Sequence, residues 1–327
     1  MILAGDIGGT KTHLALFEME NEKLEMHAEQ QFPSGDYLSL REVIEAFGQQ
    51  FSIPRIDAAC FGIAGPVVDG HCRTTNLPWE ITACELQQHL HTDRVRLIND
   101  LEATAYGMLY LGDDEFFDLN PTVDTLDGNR AVIAAGTGLG EAMLFYDGAA
   151  YHPVGSEGGH SDFAPLTPQQ DELLQWLRKR YPDHVSYERI LSGPGIYTLY
   201  EFLAQSGFAP QPASMQIVSG DEDRSVMVSR CALEQNDPLC TETLRLFAEI
   251  YGAEAGNLAL KTLSLGGVYI GGGIAPKILP FLADKHFIES FTDKGRFREL
   301  LKAMPVKIAL NPQTALLGAA HFAADRV

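Results

Sequence analysis

At 327 residues the chain is longer than one typical core, which predicts two domains. Its 45% apolar content is ordinary for a globular protein, and its net charge of −20 comes with no basic stripe to bind a nucleic acid or an anionic membrane surface. No apolar run reaches the roughly 18 residues that span a membrane, the start lacks a basic leader region, and the five cysteines form no C-x-x-C pair, as expected of reduced thiols in the cytoplasm. A phosphorylated ligand would have to be held by backbone N–H groups, helix N-termini and a metal ion.

In chain order, residues 2–4 predict a strand, Asp6-Ile7-Gly8-Gly9-Thr10 a turn, and residues 12–17 a second strand, making a hairpin whose glycines permit positive φ or close approach of a ligand. Apolar spacing over 36–51 predicts a helix capped by Asp36. Residues 58–64 read as a buried strand ending at Gly65-Pro66. Trp79 follows Thr75-Asn76-Leu77-Pro78 in an expected loop, and Thr82-Ala83-Cys84-Glu85 is a capping box opening a helix to about Leu90. Residues 95–98 form the next strand. It runs into Asn99-Asp100, with Asp100 as the expected cap of a helix over 101–109.

The second half repeats the opening device. Residues 131–135 predict a strand, Gly136-Thr137-Gly138-Leu139-Gly140 a turn, and 142–145 a strand. Ser156 to His160 is a glycine-rich loop. Capped helices follow from Thr167 to about Tyr181 and from Ser192 to about Gln205. Residues 206–225 are the expected mobile surface segment, and 239–263 one long helix or two abutting ones. Residues 268–270 are a strand leading to Gly271-Gly272-Gly273 and a helix begun by Pro276. A late strand at 306–310 and an Ala-rich helix at 314–324 close the chain. Strands alternating with helices indicate an α/β architecture, possessing two glycine hairpins rather than a plain parallel array.

Neither a P-loop nor the G-x-G-x-x-G fingerprint is present. What remains is two Gly-Thr turns, each able to aim N–H groups and a hydroxyl at an anion, plus the cluster at 271–273. A carboxylate at Asp6 would repel phosphate unless a cation intervened, so it reads as a Mg²⁺ orienter acting through water, or else as an Asx-turn. Glu157-Gly158-Gly159-His160 keeps the backbone open between an acceptor and an imidazole, a combination suited to neighbouring hydroxyls. Glu188, taken alone, reads as an exposed ion pair with Arg189.

Asp6–Thr10, Leu97-Ile98-Asn99-Asp100, Gly136–Gly140, Gly155-Ser156-Glu157-Gly158-Gly159-His160 and Leu191-Ser192-Gly193-Pro194-Gly195 occur in the order and rough spacing of bacterial glucokinases, and the resemblance covers nearly the whole chain. It implies the actin-like ATPase (ribonuclease H-like) fold: two α/β domains flanking a cleft, residues 1–108 with 312–327 and residues 109–311. It also implies a homodimer that uses ATP and Mg²⁺ to phosphorylate glucose to glucose 6-phosphate for glycolysis. Asp100 matches the catalytic base. Asn99, Asp100, Glu157, His160 and Glu188 match the sugar ligands. Gly5, Asp6, Ile7, Gly8, Gly9 and Thr10, with Gly136, Thr137, Gly138, Gly140 and Gly271 to Gly273, match the nucleotide-binding turns. Lys11 departs from the usual Asn and is common in the ROK sugar kinases, but that family's C-x-C-G-x-x-G-C-x-E zinc motif does not follow His160. Alternatives from the same parts are a kinase for another hexose (mannose, fructose or an N-acetylated sugar), a non-catalytic sugar or ATP sensor, and an ATPase with no sugar pocket.

Overall fold

The computed structural model describes every residue except Glu22, Ser52, Pro54, Thr75, Asn76, Thr122, Thr125, residues 217–222 and Val327. Its first eight strands are β1 (Ile2–Ile7), β2 (Lys11–Glu20), β3 (Lys23–Pro33), β4 (Ala58–Ile63), β5 (Val67–Val68), β6 (His71–Arg73), β7 (Glu80–Thr82) and β8 (Val95–Asn99). Five of them form a sheet of order β3-β2-β1-β4-β8, and β5-β6-β7 make a small separate one. The β1–β2 and β2–β3 pairs are antiparallel, and β1–β4 and β4–β8 are parallel. The chain therefore meanders through three strands and then crosses over for two more.

β1 is buried on both sides, as a central strand should be. Leu3 and Ile7 enter one core with Phe47, Phe61 and Trp79, while Ile2 and Ala4 enter another with Ile98, Ala319 and Ala320. The first core is covered by α1 (Leu40–Gln50) and α2 (Ala83–Leu90), and the second by α3 (Asp100–Gly107).

The remaining strands are β9 (Phe116–Asp118), β10 (Arg130–Ala135), β11 (Leu139–Tyr146), β12 (Tyr151–Ser156), β13 (Val268–Gly271) and β14 (Val306–Ala309), in the order β12-β11-β10-β13-β14-β9. β10–β13 and β13–β14 are parallel. The opening plan thus recurs: a strand, a glycine turn, two further strands to one side, and parallel strands to the other. The helices after α3 are α4 (Pro168–Arg180), α5 (Gly193–Gln205), α6 (Ala213–Gln216), α7 (Arg224–Gln235), α8 (Pro238–Thr262), α9 (Leu279–Leu282), α10 (Lys285–Thr292), α11 (Arg298–Lys302) and α12 (Thr314–Arg326). Leu177, Leu199, Val228, Phe247, Tyr251 and Phe287 bring α4, α5, α7, α8 and α10 into one core with Ile133 and Ile270 of the second sheet.

By contacts the chain divides into a first unit of Met1–Phe116, Ala142–Gly155 and the segment from Asn311 onward, and a second of Phe117–Glu141 and Ser156–Leu310. The first unit thus runs past residue 108 and takes in the outer part of the β11–β12 hairpin. Hydrogen bonds explain the addition: the Gly155 N–H donates to Glu102 Oε1 (3.2 Å), and Arg326 Nη2 to the Tyr151 carbonyl (3.1 Å). α12, within the first unit, lies against α3 and β1.

Several local expectations change. The 36–51 helix begins at Leu40, where Ser39 Oγ accepts the Glu42 N–H (3.3 Å), and Asp36 belongs to a preceding 3₁₀ turn. Asp6 lies within β1 rather than in the turn, and Gly140 within β11. No glycine of the 8–9 or 136–138 turns takes positive φ, and a Cβ on Gly8 or Gly138 would meet the Lys11 carbonyl oxygen (3.0 Å) or Glu188 Oε2 (2.5 Å). The expected 206–225 segment contains α6 and the start of α7, and its residues 217–222 lie outside the described ones, as do Thr75 and Asn76 of the loop before Trp79. Trp79 itself is buried and donates from Nε1 to the Tyr37 carbonyl (3.0 Å), so it is a packing residue.

α3 and α12 cross with their backbones in contact. A Cβ on Gly318 would lie 1.8 Å from the Ala103 carbonyl oxygen, and one on Gly107 would lie 2.0 Å from that of Thr314. Gly318→Ala should therefore lower stability by about 1–3 kcal/mol, because a backbone atom cannot move aside as a side chain can. Gly35→Ala, where nothing lies within 4 Å, is the control and should stay within about 0.5 kcal/mol. Urea denaturation midpoints at constant slope measure both.

Candidate functional site

In the first unit, register places the acids. Asp6 of β1 pairs with Gly62 of β4, and Gly62 with Ile98 of β8, so Asp6 and the Asn99-Asp100 step stand at the same end of the sheet. Two strand spacings separate β1 from β8, about 10 Å. Gly62 makes room for α3: a Cβ there would meet the Ala103 Cβ at 2.7 Å. Asp6 is half-buried. Burial pushes its carboxyl above the ordinary carboxylate range, and His13, opposite it in the ladder, pulls the other way. The adjoining turn is braced from below. The Gly8 N–H donates to the Lys11 carbonyl (2.9 Å), Ser34 Oγ donates to the Gly8 carbonyl (2.8 Å), and the Ser34 N–H to the Thr10 carbonyl (3.0 Å). Gly5 and Ile7 are buried in β1, where a Cβ on Gly5 would lie 2.7 Å from the Phe61 ring; packing accounts for both.

Asn99, not Asp100, caps α3. Its Oδ1 accepts the Leu101 N–H (2.9 Å), its Nδ2 donates to the Gly65 carbonyl (3.1 Å), and its own N–H donates to Glu102 Oε2 (2.9 Å), completing a capping box. Asp100 is the first helical residue, with Oδ1 accepting from Leu101 N–H (3.0 Å). Asp100 thus shares the Leu101 N–H with Asn99 and places a charge at the positive end of the helix dipole.

In the second unit, the two glycine clusters stand at the carboxyl ends of neighbouring parallel strands, since Ala134 of β10 pairs with Gly271 of β13. That end is where open α/β sheets bind ligands. Gly136 and Gly273 have ordinary φ and no atom within 4 Å of a built Cβ, so neither backbone nor packing asks for glycine there. Gly272 differs: its φ is +82° and it abuts the Ala135 backbone. Thr137 is exposed at the turn, and the capped start of α5 donates its Gly193 N–H to the Gly136 carbonyl (2.8 Å).

Glu157 and His160 are exposed at the two ends of a 3₁₀ turn closed by the His160 N–H to the Glu157 carbonyl (3.0 Å). Gly159 is obligatory, because a Cβ would lie 2.0 Å from the Leu139 carbonyl oxygen. Glu188 joins this group rather than Arg189, whose guanidinium stacks on Tyr181 (4.5 Å). Glu188 Oε2 accepts the Leu139 N–H (3.0 Å), and Oε1 stands 3.8 Å from His160 Nε2. Glu188 is thus bonded to the second glycine turn, with His160 brought close to it.

The comparisons with known proteins decide the family. A family profile described as Glucokinase matches residues 3–326. A glucokinase of Trichormus variabilis is 42% identical over 339 aligned positions, covering 99% of each chain. The chain belongs to the glucokinase family. Among solved structures, a glucokinase from an Antarctic psychrotroph is 32% identical with a TM-score of 0.84, covering 99% of this chain and 98% of that one. A ROK family glucokinase from Streptomyces griseus, in complex with glucose and AMPPNP, shares the fold at 20% identity and a TM-score of 0.67, covering 99% of both chains. The fold is accordingly the two-domain actin-like ATPase fold, and the glucokinase family makes this chain an enzyme.

Two residues that brace these turns were not read from sequence. Glu102 both completes the Asn99 cap and holds Gly155; the Asn-x-x-Glu spacing was a readable signal. Glu141 is a buried acid inside an apolar strand, a conspicuous break in pattern. Asn99→Ala should cost about 1 kcal/mol for the lost cap. A larger loss in urea denaturation would show that the tie to Gly65 also counts, and no loss would remove the capping role.

Proposed function

We propose that the chain transfers the γ-phosphoryl group of ATP to the 6-hydroxyl of D-glucose. The end-to-end match to glucokinases carries this reading. The joined Glu188, His160 and Leu139 add chemistry suited to a polyhydroxy ligand. Asp100 accepts the hydroxyl proton as the sugar oxygen bonds to the γ-phosphorus, and the bond from that phosphorus to the β–γ bridging oxygen breaks to release ADP. Asn99, Glu157, His160 and Glu188 hold the other hydroxyls, with Glu188 offering Oε1 because Oε2 serves Leu139. Gly8 to Thr10, Gly136 to Gly138 and Gly271 to Gly273 line the nucleotide, and Gly5, Ile7 and Gly140 support those turns from within their strands. Positioning and charge neutralisation dominate such transfers.

Asp6 fits Mg²⁺. It is one half-buried carboxylate beside a braced backbone turn, and Mg²⁺ takes one or two carboxylates, retaining waters and phosphate oxygens. When bound, the ion supplies charge neutralisation on the phosphates. The product would feed glycolysis in the cytoplasm, a reading supported by five free cysteines. A homodimer follows the family resemblance.

Asp100→Asn should cut turnover by about 10²–10⁴-fold while glucose binding, read by intrinsic fluorescence, holds. Near-normal turnover would remove the base. ADP release with each hexose then tests the substrate. Release only with glucose supports the reading, equal release with mannose or fructose broadens it, sugar-independent release marks an ATPase, and none marks a sensor.

A further inference from the structure

Glu141 stands on β11 just beyond the second glycine turn and is 1% exposed, among the buried Leu139, Ala142 and Leu144. Its Oε1 has no hydrogen-bond partner among the described residues. Its Oε2 lies against Gly158, where a Cβ would come within 2.1 Å, so the turn carrying Glu157 and His160 rests directly on this carboxyl. The backbone repeats the tie: Ser156 Oγ donates to the Glu141 carbonyl (3.0 Å) and accepts the Gly158 N–H (3.2 Å).

Glu254 of α8 is the neighbouring carboxyl, fully buried. Its Oε2 accepts from Asn257 Nδ2 (2.8 Å) and its Oε1 from Lys261 Nζ (3.4 Å). Asn257 Nδ2 also donates to the Tyr187 hydroxyl (3.2 Å), and Tyr187 immediately precedes Glu188. The Tyr187 N–H donates to the Ser161 carbonyl (3.1 Å), joining the two turns. Lys294 Nζ reaches Asn257 Oδ1 (2.7 Å) and the Ala253 carbonyl (2.9 Å).

Two ionised carboxylates here would repel each other and leave Oε1 an acceptor without a donor. One proton on Glu141 removes both faults by making it a donor to Glu254. Burial first, then Glu254, pushes the Glu141 carboxyl up to about 8, against the pull of Lys261. Tyr251 and Tyr187 are held neutral by burial, and burial lowers Lys294.

We propose that Glu141 and Glu254, sharing one proton, are positioning residues that brace the 157–160 and 187–189 turns from behind and so set the affinity for sugar without touching it. This rests on the reading that Glu157, His160 and Glu188 hold sugar hydroxyls. Loss of the proton sets β11 and α8 against each other and displaces both turns.

The linked stability has a definite sign. Between the ordinary 4.5 and about 8 the fold keeps a proton that the unfolded chain releases, so stability falls as pH rises through that window.

The test compares wild type with Glu141→Gln, which keeps the size and a donor but cannot ionise. Glucose KM and kcat are measured from about pH 6.5 to about pH 9.5, with melting temperature alongside. Wild-type KM should rise several-fold across the range relative to Glu141→Gln, with kcat ratios within about two-fold, and the variant should lose part of the fall in melting temperature between about pH 6.5 and about pH 8. Infrared spectra of wild type at neutral pH should show a protonated-carboxyl C=O band that Glu141→Gln removes. Superimposed KM profiles, a loss confined to kcat, or no such band overturns the pairing. Glu157→Gln separates the two levels. If it raises KM while Glu141→Gln superimposes on wild type, the positioning role alone fails. If Glu157→Gln leaves KM unchanged, the sugar reading fails, and the role of the pair in affinity fails with it.

Discussion

The hydrogen bond from the Leu139 N–H to Glu188 Oε2 orders the cluster of turns in the second unit. It takes a backbone donor at the edge of a glycine turn and uses it to aim a carboxylate. It also explains Gly138, since a Cβ there would lie 2.5 Å from the same oxygen. With Oε2 committed, Oε1 is directed toward His160. A hydrogen bond to a charged group is worth about 1.5–3 kcal/mol, enough to hold one rotamer against solvent. Glu188 thus links the second glycine turn to the 157–160 turn inside a single unit.

The first unit reaches the same end differently. There the aiming is done by sheet register and by a cap. β4 lies between β1 and β8, its Gly62 admits the start of α3, and Asn99 absorbs the capping duty. Asp100 opens the helix, and its Oδ1 shares the Leu101 N–H with Asn99 Oδ1. The remaining capping bonds, to Glu102 and Gly65, are made by Asn99.

The parts legible in the sequence were those that a local rule determines. Apolar runs marked β4, β8, β10 and β13, and Ser, Thr and Pro marked the starts of α2, α4 and α5. The strands β3 and β12 were not legible, and each lies at the edge of its sheet. β3 has only one buried residue, Phe32, and β12 has none and contains Pro153 and Gly155, which an edge tolerates. Glu188 could be read alone only as a partner of Arg189, because its real partner lies in a turn 49 residues earlier. The family resemblance supplied what spacing could not. The assignment of the cap to Asp100 failed because Asn and Asp are nearly equal as caps, and the deciding feature was Glu102, three residues on from Asn99.

Counting charges alone would leave the Glu141–Glu254 pair ionised, since Lys261 and Lys294 are both nearby. Geometry argues otherwise. Lys261 contacts Glu254 at 3.4 Å with its own side chain 57% exposed, so water weakens the pair. Lys294 gives its hydrogen bonds to an amide oxygen and a backbone carbonyl, both neutral. Glu141 Oε1 has no hydrogen-bond partner among the described residues, and a buried charge without one is costly. The proton is therefore the cheapest counter-charge available. Because Gly158 rests on one of these carboxyls and Tyr187 is reached through Asn257 from the other, the protonation state bears on the turns rather than being lost in the core.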